Sequence, residues 1–401
     1  MMLGIRLITL GTLGGLFASI SPASAQQCAA TLQTALAVAH TLQNHYYNTG
    51  NGMYNGGSLW TDANTLEDLH NLMLATGTDD FASVADNSFI GRSALNPNTN
   101  WNSILAGSND DAGWIVLSLW KMGDYKINRG ISNANAYFNA ANTIYNIIAG
   151  QYDNQCGGGV WWSTAHTYKN AVTNELFLLL SAQGFRRGFG QNYLDNANKA
   201  SRISMHHSFI PNALYRDAGL ELAQEHRNEE CTRALQRWFG AGYMSEQRAV
   251  LQTTWTYNQG VIASGLAELA AATGDKSLLA QAEITLDATI ALLTTNNILR
   301  ESCDNAASGQ AVCNQDQQIF KGIWTKHVQY YLDAANDATR TAKYRPFLGS
   351  QESAVFHFGT NANNDVGSVW YAANQGGSIF TPKSSASGLA AHVAAAKYGP
   401  C

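Results

Sequence analysis

Two adjacent carboxylates, Asp110 and Asp111, follow Ser108 and Asn109 and open the strongly apolar run AGWIVLSLW at 112–120. Like charges held side by side push their pKa values apart, so that one stays ionised while the other keeps a proton. Glycoside hydrolysis needs that division of labour. A plainer reading exists: Asp is favoured in the first turn of a helix, where it complements the dipole. Ser108 and Asn109 are themselves good caps, however, and the helix behind them is apolar nearly all round. Such a helix must be buried, which turns its N-terminus towards a cavity, where paired charges are costly unless used. Successive helical residues diverge by ~100°, so the two carboxyls converge only at the junction between loop and helix. A retaining glycosidase wants them ~5–5.5 Å apart and an inverting one ~6.5–9.5 Å.

Four other stretches have the same form, with polar and aromatic residues gathered where an apolar helix begins. Trp60-Thr-Asp62-Ala-Asn64 precedes one helix, Trp255-Thr-Tyr257-Asn258-Gln259-Gly260 another, and Phe320-Lys321-Gly322 a third. The fourth runs from Cys156-Gly-Gly-Gly-Val-Trp161-Trp162 through Tyr168-Lys169-Asn170 to Asn174-Glu175. Its glycines allow tight turning, and its two tryptophans offer a sugar platform. Asn170 and Asn174 lie at i and i+4, which directs both amides from one helix face into one pocket. Glu175 is a reserve base for an inverting mechanism. The alternative for this stretch is an ordinary loop followed by a cap.

The elements that must hold these residues are helices. Helical periods recur near 28–47, 63–76, 110–122, 131–149, 168–186, 190–206, 256–273, 276–293, 317–335 and 386–397, with shorter candidates near 80–90, 213–238 and 337–357. β-alternation is scarce, and Gly157–Ser163 suits a short hairpin or extended loop. Segments apolar all round, such as 112–120 and 176–182, alternate with amphipathic ones such as 131–149. That alternation predicts an all-α fold with an inner ring of helices wrapped by an outer ring; on pattern alone a large irregular bundle is the alternative. If the inner helices run parallel, their polar starts meet at one mouth. No Ser/Pro-rich or charged linker divides the chain, so residues 26–401 are expected to form a single domain.

Only 13% of residues are charged and the net charge is −5, with no basic stripe, which argues against a nucleic-acid partner. Polarity comes from Asn, Gln, Ser, Thr and Gly beside 10 Trp and 17 Tyr, groups that suit sugars. Residues 1–25 read as a secretory signal: Arg6, an apolar stretch, then Ala23-Ser24-Ala25 before Gln26. Nothing later offers ~20 apolar residues in a row, so a secreted protein with no membrane association is expected. The six cysteines suggest disulfides in that setting. Cys303–Cys313 is the favoured pair, Cys28–Cys401 would tie the chain ends, and Cys156–Cys231 is left by subtraction. No Cys/His spacing suggests a metal, and no P-loop, HExxH, GxSxG or dinucleotide fingerprint suggests another chemistry or a cofactor. His206-His207 reads as surface or packing.

Together these stretches resemble glycoside hydrolase family 76, the endo-α-1,6-mannanases, in its fungal secreted branch. The resemblance rests on WTDANTLEDL (60–69), NDDAGWIVLSLW (109–120), CGGGVWWS (156–163), YKNAVTNELFLLL (168–180), WTYNQGVIASGLAEL (255–269) and IFKGIWTKHVQYYL (319–332). It implies an (α/α)6 barrel, action as a monomer on α-1,6-mannan and a retaining mechanism, with Asp110 matching the nucleophile and Asp111 the acid/base. Trp60, Asn64, Trp161, Tyr168, Lys169, Asn170, Asn174, Glu175, Tyr257, Asn258, Gln259 and Lys321 are the expected cleft residues. Segment 207–254 departs most from the family pattern. Two other readings are a cell-wall transglycosidase, which passes the glycosyl group to a sugar hydroxyl, and a non-catalytic glycan-binding barrel. The intact Asp pair argues against the latter.

Overall fold

The computed structural model describes residues 27–207, 220–221, 254–304, 312–373 and 377–401. Their helices alternate along the chain between two burial patterns. In α2 (Leu59–Thr76), α6 (Asn109–Asn128), α8 (Ala171–Arg186), α10 (Thr256–Thr273), α12 (Phe320–Ala335) and α14 (Pro382–Tyr398) long consecutive runs are buried, such as Ala112–Trp120 and Phe320–Leu332. In α7 (Ala134–Ala149) only Ala134, Tyr137, Ala140, Ala141, Ile144, Tyr145 and Ile148 are buried, the single stripe of an amphipathic helix. The other outer helices are α1 (Ala29–Tyr46), α9 (Gln191–His207), α11 (Ser277–Leu292) and α13 (Ala338–Ala354); the second outer position is taken by short α3 (Ala82–Asn87), α4 (Phe89–Leu95) and α5 (Trp101–Leu105).

Each outer element leads into an inner helix, which makes six helical hairpins. The inner helices contact one another in the order α2, α6, α8, α10, α12, α14 and back to α2, a closed ring. α1 lies on α14 and α2, α7 on α6, α9 on α8, α11 on α10 and α13 on α14. This is the expected (α/α)6 barrel as a single domain. Because every inner helix is the second member of its hairpin, all six start at the same mouth. Short ribbons β1–β2 (Tyr47–Asn48, Met53–Tyr54), β3–β4 (Tyr152–Asp153, Gly159–Val160) and β5–β6 (Thr294–Thr295, Ile298–Leu299) occupy three of the outer-to-inner connections at that end. At the other end α2 and α10 stop on Gly77 and Gly274, whose φ of 78° and 80° only glycine adopts without strain.

Close packing of the inner ring sets individual residues. A Cβ at Gly322 of α12 would stand 2.3 Å from Ser387 Cα of α14, and the Gly322 amide donates to Ser387 Oγ at 2.8 Å. The bore is filled partly by charge. Lys326 of α12 reaches Glu67 Oε2 at 2.8 Å, Asp68 Oδ1 at 3.0 Å and Asn64 Oδ1 at 2.9 Å, all on α2, although α14 separates the two helices in the ring. No helix among the described residues is long and apolar enough to cross a membrane.

The helical outline matches the sequence pattern, with longer ends than expected for α6 and α14 and an additional short α5. The candidate helix at 213–238 and most of segment 207–254 lie outside the described residues, as does Cys231 and hence the Cys156–Cys231 expectation. Cys303–Cys313 is formed, with a Cα–Cα distance of 4.7 Å. Cys28 and Cys401 correct the expected tie between chain ends: they are free thiols, not a disulfide. The Cys303–Cys313 bridge closes a short loop beside the mouth. Replacing Cys303 and Cys313 with Ser is expected to cost ~2–3 kcal/mol, the loop-entropy value for a closure of this size. Urea unfolding of both proteins without reductant checks this, and equal midpoints would refute it.

Candidate active site

The mouth is built from the six inner-helix starts, and Asp110 and Asp111 occupy the second and third positions of α6. Ser108, at the cap position, does not cap: its side chain accepts from no first-turn amide. Its hydroxyl donates instead to Asp110 Oδ1 at 2.8 Å. Asn109 is diverted too, donating from Nδ2 to the Trp161 carbonyl at 2.8 Å. The orphan backbone N–H of Asn109 finds the Trp162 carbonyl at 2.9 Å. Segment 159–169 is thereby stitched to the start of α6, and a bridge between Ser108 and Ser163 continues the seam.

The two carboxyls have unlike surroundings. Asp110 receives three donors: the Ser108 hydroxyl, the Asp111 amide at 2.9 Å on Oδ1, and the Trp162 indole N–H at 2.8 Å on Oδ2. Burial raises Asp110, and these hydrogen bonds to its ionised form oppose the rise. Asp111 is pushed up to about 7, chiefly by burial and next by the charge of Asp110, with a smaller contribution from Asp316; the Ser108 hydroxyl opposes. One carboxylate is thus held in an acceptor role, and its neighbour carries a proton near neutral pH.

Asp111 therefore ties stability to pH. Its folded pKa lies above its ordinary 3.8, so between those values the folded chain binds more protons than the unfolded one. Its contribution to stability falls as pH rises through that window and levels off above about 7. Asp111→Asn removes this fall. The variant is expected to gain about 1–2 kcal/mol on wild type between pH 4.5 and 7.5, after allowance for solvent screening. Melting curves across that range test it; a constant offset between the two proteins would contradict it.

Aromatic rings cluster at the inner-helix starts. Trp60 is 6.0 Å from Trp114 and 6.4 Å from Phe320 between ring centroids, Tyr257 stacks on Phe320 at 4.0 Å, and Trp255 meets Phe320 at 5.5 Å. Tyr168 stands edge-on to Trp162 at 6.1 Å. Trp60, Tyr168 and Tyr257 stand at or just before inner-helix starts.

Several expected cleft residues do other work. Trp161 is fully buried, its indole N–H on Asp153 Oδ2 at 2.8 Å, and offers no sugar platform. Trp162 stays 42% exposed and takes that place. Lys169 lies against the Trp161 ring and donates to Asp153 Oδ1 at 2.6 Å. Asn170 caps α8 by accepting from the Thr173 amide. Asn174 clamps Val160, accepting from its N–H at 2.8 Å and donating to its carbonyl at 3.1 Å, so the two amides do not share a pocket. Glu175 is buried and accepts from Asn258 Nδ2 at 3.3 Å, within the barrel wall. Gln259 faces outward and accepts from Thr285 of α11 at 2.5 Å. Asn64 accepts from Lys326, and Lys321 pairs with buried Asp304 and the Ser368 carbonyl. All of these build the walls that hold the mouth in shape.

Other groups at the mouth stand outside the expected set. Asp316, exposed just before α12, lies close enough to raise Asp111 and to act on Lys383, whose ammonium donates to Gln315 Oε1 at 2.8 Å. Asp62, held by the Tyr54 amide at 3.1 Å, is pushed by burial to about 7 and also feels Lys383. The available signal was position: each precedes or opens an inner helix. Among the described residues, a cavity of about 280 Å³ lies elsewhere, among Trp120, Lys121, Arg186 and Arg187. Lys121 is ten residues beyond Asp111 on the same helix, hence roughly 15 Å down the barrel.

The match to known proteins agrees with this fold. The model of glycosyl hydrolase family 76 covers residues 26–398. The chain belongs to this family. Among relatives, it is 26% identical over 233 residues to the mannan endo-1,6-alpha-mannosidase DCW1 of Candida glabrata, covering 56% of this chain and 47% of that protein. It is also 26% identical over 274 residues to a putative mannan endo-1,6-alpha-mannosidase of Schizosaccharomyces pombe, covering 66% and 56%. The chain thus spans about half the length of the curated relatives it matches. Among solved structures, the GH76A α-1,6-mannanase of Salegentibacter sp. HEL1_6 superposes with a TM-score of 0.72 at 18% identity, over 91% of this chain and 99% of that one. Dfg5 of Chaetomium thermophilum in complex with glucosamine gives 0.74 at 16% identity, over 91% and 90%. An inactive variant of the Salegentibacter enzyme, with two adjacent aspartates replaced by asparagine, was solved with α-1,6-mannotriose at a TM-score of 0.71, 18% identity, 91% and 99% coverage.

Proposed function

We propose that this family 76 chain is an endo-acting glycoside hydrolase that cleaves α-1,6-mannosidic linkages in mannan backbones with retention of configuration. The observation that carries the reading is the unlike pair at the start of α6. Asp110, with three donors, is the nucleophile, and Asp111, raised to about 7, is the acid/base. Asp110 attacks C1 of a mannosyl unit while Asp111 gives its proton to the departing glycosidic oxygen. Asp111 then takes a proton from water, which attacks C1 and releases Asp110. Support comes also from the relatives' described activity and from the inactive neighbour whose adjacent aspartates are replaced. Trp60, Tyr168, Tyr257 and Trp162 line the path of the sugar. No cofactor is required, and the protein acts as a monomer. Residues 1–25 direct secretion and are removed, so that the mature chain begins at Gln26.

Linear α-1,6-mannan, offered with and without an α-1,6-linked oligosaccharide acceptor, tests the reading. Hydrolysis to shorter oligosaccharides, with the α-anomer formed first by proton NMR, is the expected result. Chain transfer to the acceptor would assign transglycosylation instead, and binding without turnover would overturn the catalytic reading. N-terminal sequencing of secreted protein tests the cleavage site.

A further inference from the structure

Tryptophan is seldom left open to solvent, because its large ring gains by burial. Trp162 is 42% exposed, yet its neighbour Trp161 is fully buried. The chain bends at Trp162, just past the end of β4. Anchoring Trp161 through Asp153, Lys169 and the ring of His166, stacked at 5.1 Å, therefore turns Trp162 towards the mouth. The backbone at Trp162 is fixed on both sides, its N–H donating to the Tyr168 carbonyl at 2.8 Å and its carbonyl accepting from Asn109 at 2.9 Å. An indole on so rigid a frame is pre-organised, and its single donor meets Asp110 Oδ2 at 2.8 Å.

Resting on the hydrolase reading above, we propose that Trp162 is a positioning residue for the nucleophile: its indole N–H fixes the orientation of the Asp110 carboxylate, and its exposed ring face carries the sugar that Asp110 attacks. The two roles belong to different parts of one side chain. The N–H lies in the ring plane and reaches the carboxylate, which leaves the ring face for the apolar C–H surface of a sugar. Asp111 has no equivalent partner among these contacts. Trp162 thus contributes to the difference between two adjacent and chemically identical groups. Removing the N–H weakens a hydrogen bond to the ionised form and moves Asp110 upward in pH.

Trp162→Phe keeps the ring and removes the donor, whereas Trp162→Ala removes both. On α-1,6-mannan the Phe variant is expected to lose about 10- to 100-fold in kcat, the factor associated with a hydrogen bond to a charged group. Its KM should stay within about twofold of wild type, and the acidic limb of its kcat/KM profile should move up by about one pH unit. The Ala variant should show a raised KM in addition. A Phe variant with wild-type kcat and an unmoved acidic limb would overturn the inference. Carboxyl carbon-13 NMR of Asp-labelled protein supplies a readout independent of the substrate. Asp110, assigned by comparison with Asp110→Asn, should titrate at higher pH in the Phe variant than in wild type, and coincident curves would sink the inference. If wild type does not turn over mannan while this titration shift appears, the hydrolase reading fails and the N–H role stands.

Discussion

Asp110→Ala is expected to lower kcat/KM on α-1,6-mannan by roughly 10⁴- to 10⁶-fold, the range seen when a catalytic nucleophile is removed. Neither Asp111 nor Glu175 is set to replace it. Asp111 is its neighbour, but lies one helical position further on and keeps its own proton near neutral pH. Glu175 is buried in the wall against Asn258. The loss should persist on aryl mannosides with good leaving groups, because no covalent intermediate forms. Asp111→Ala should behave differently. Removal of a general acid costs about 10²–10⁴-fold on mannan, and a leaving group that needs no proton recovers much of the first step. Side-by-side kinetics on mannan and on an activated mannoside separate the two roles. Rescue of Asp110→Ala, or an equal deficit of Asp111→Ala on both substrates, would reverse or remove the assignment. Wild-type activity should also fall as pH rises past about 7, where Asp111 loses the proton it donates.

The second large effect concerns the barrel itself. Lys326 is the ammonium shared by Glu67 and Asp68, and all three side chains are 2% exposed. Lys326→Met preserves much of the side-chain length but leaves two adjacent buried carboxyls without their cation. Breaking a buried ion pair from one side typically costs 3–5 kcal/mol, since an uncompensated charge remains. The loss should depend on pH. Burial already raises Asp68 to about 7, with Lys326 opposing, so removing the lysine raises it further. Protonation then relieves the variant, and the deficit against wild type should be smaller at pH 5 than at pH 8. Chemical denaturation at both values measures it. A cost below about 1 kcal/mol at pH 8 would mean that the cluster is not a stability determinant. Glu67 also accepts from Tyr330, beside the cavity at the far end of the bore, so the damage should spread away from the mouth. This distinguishes it from Asp110→Ala, which should melt close to wild type.

These predictions draw on different levels of the chain's information. The sequence by itself determined the layers. Residues 112–120 are apolar on every side, so they had to be enclosed, whereas 134–148 present one apolar stripe and need cover on one side only. That alternation implies inner and outer helices, and hairpin order then places all inner starts at one mouth. The carboxylate pair was legible for the same reason: a polar cluster at the start of an enclosed helix has nowhere to face except an opening.

Only the tertiary structure decided which polar residue of each helix start faces that opening. Asn174 is drawn to Val160, Gln259 to Thr285, Lys321 to Asp304 and Asn64 to Lys326. Those partners lie 14, 26, 17 and 262 residues away in the chain. Local spacing does not contain them, and a buried polar group goes wherever its hydrogen bonds can be completed. Trp161 and Trp162 make the same point. The pair of rings was visible in the sequence, but the bend at Trp162 turns only one towards the mouth. The half-buried carboxylate of Asp153, which receives the indole of Trp161, left Trp162 for Asp110.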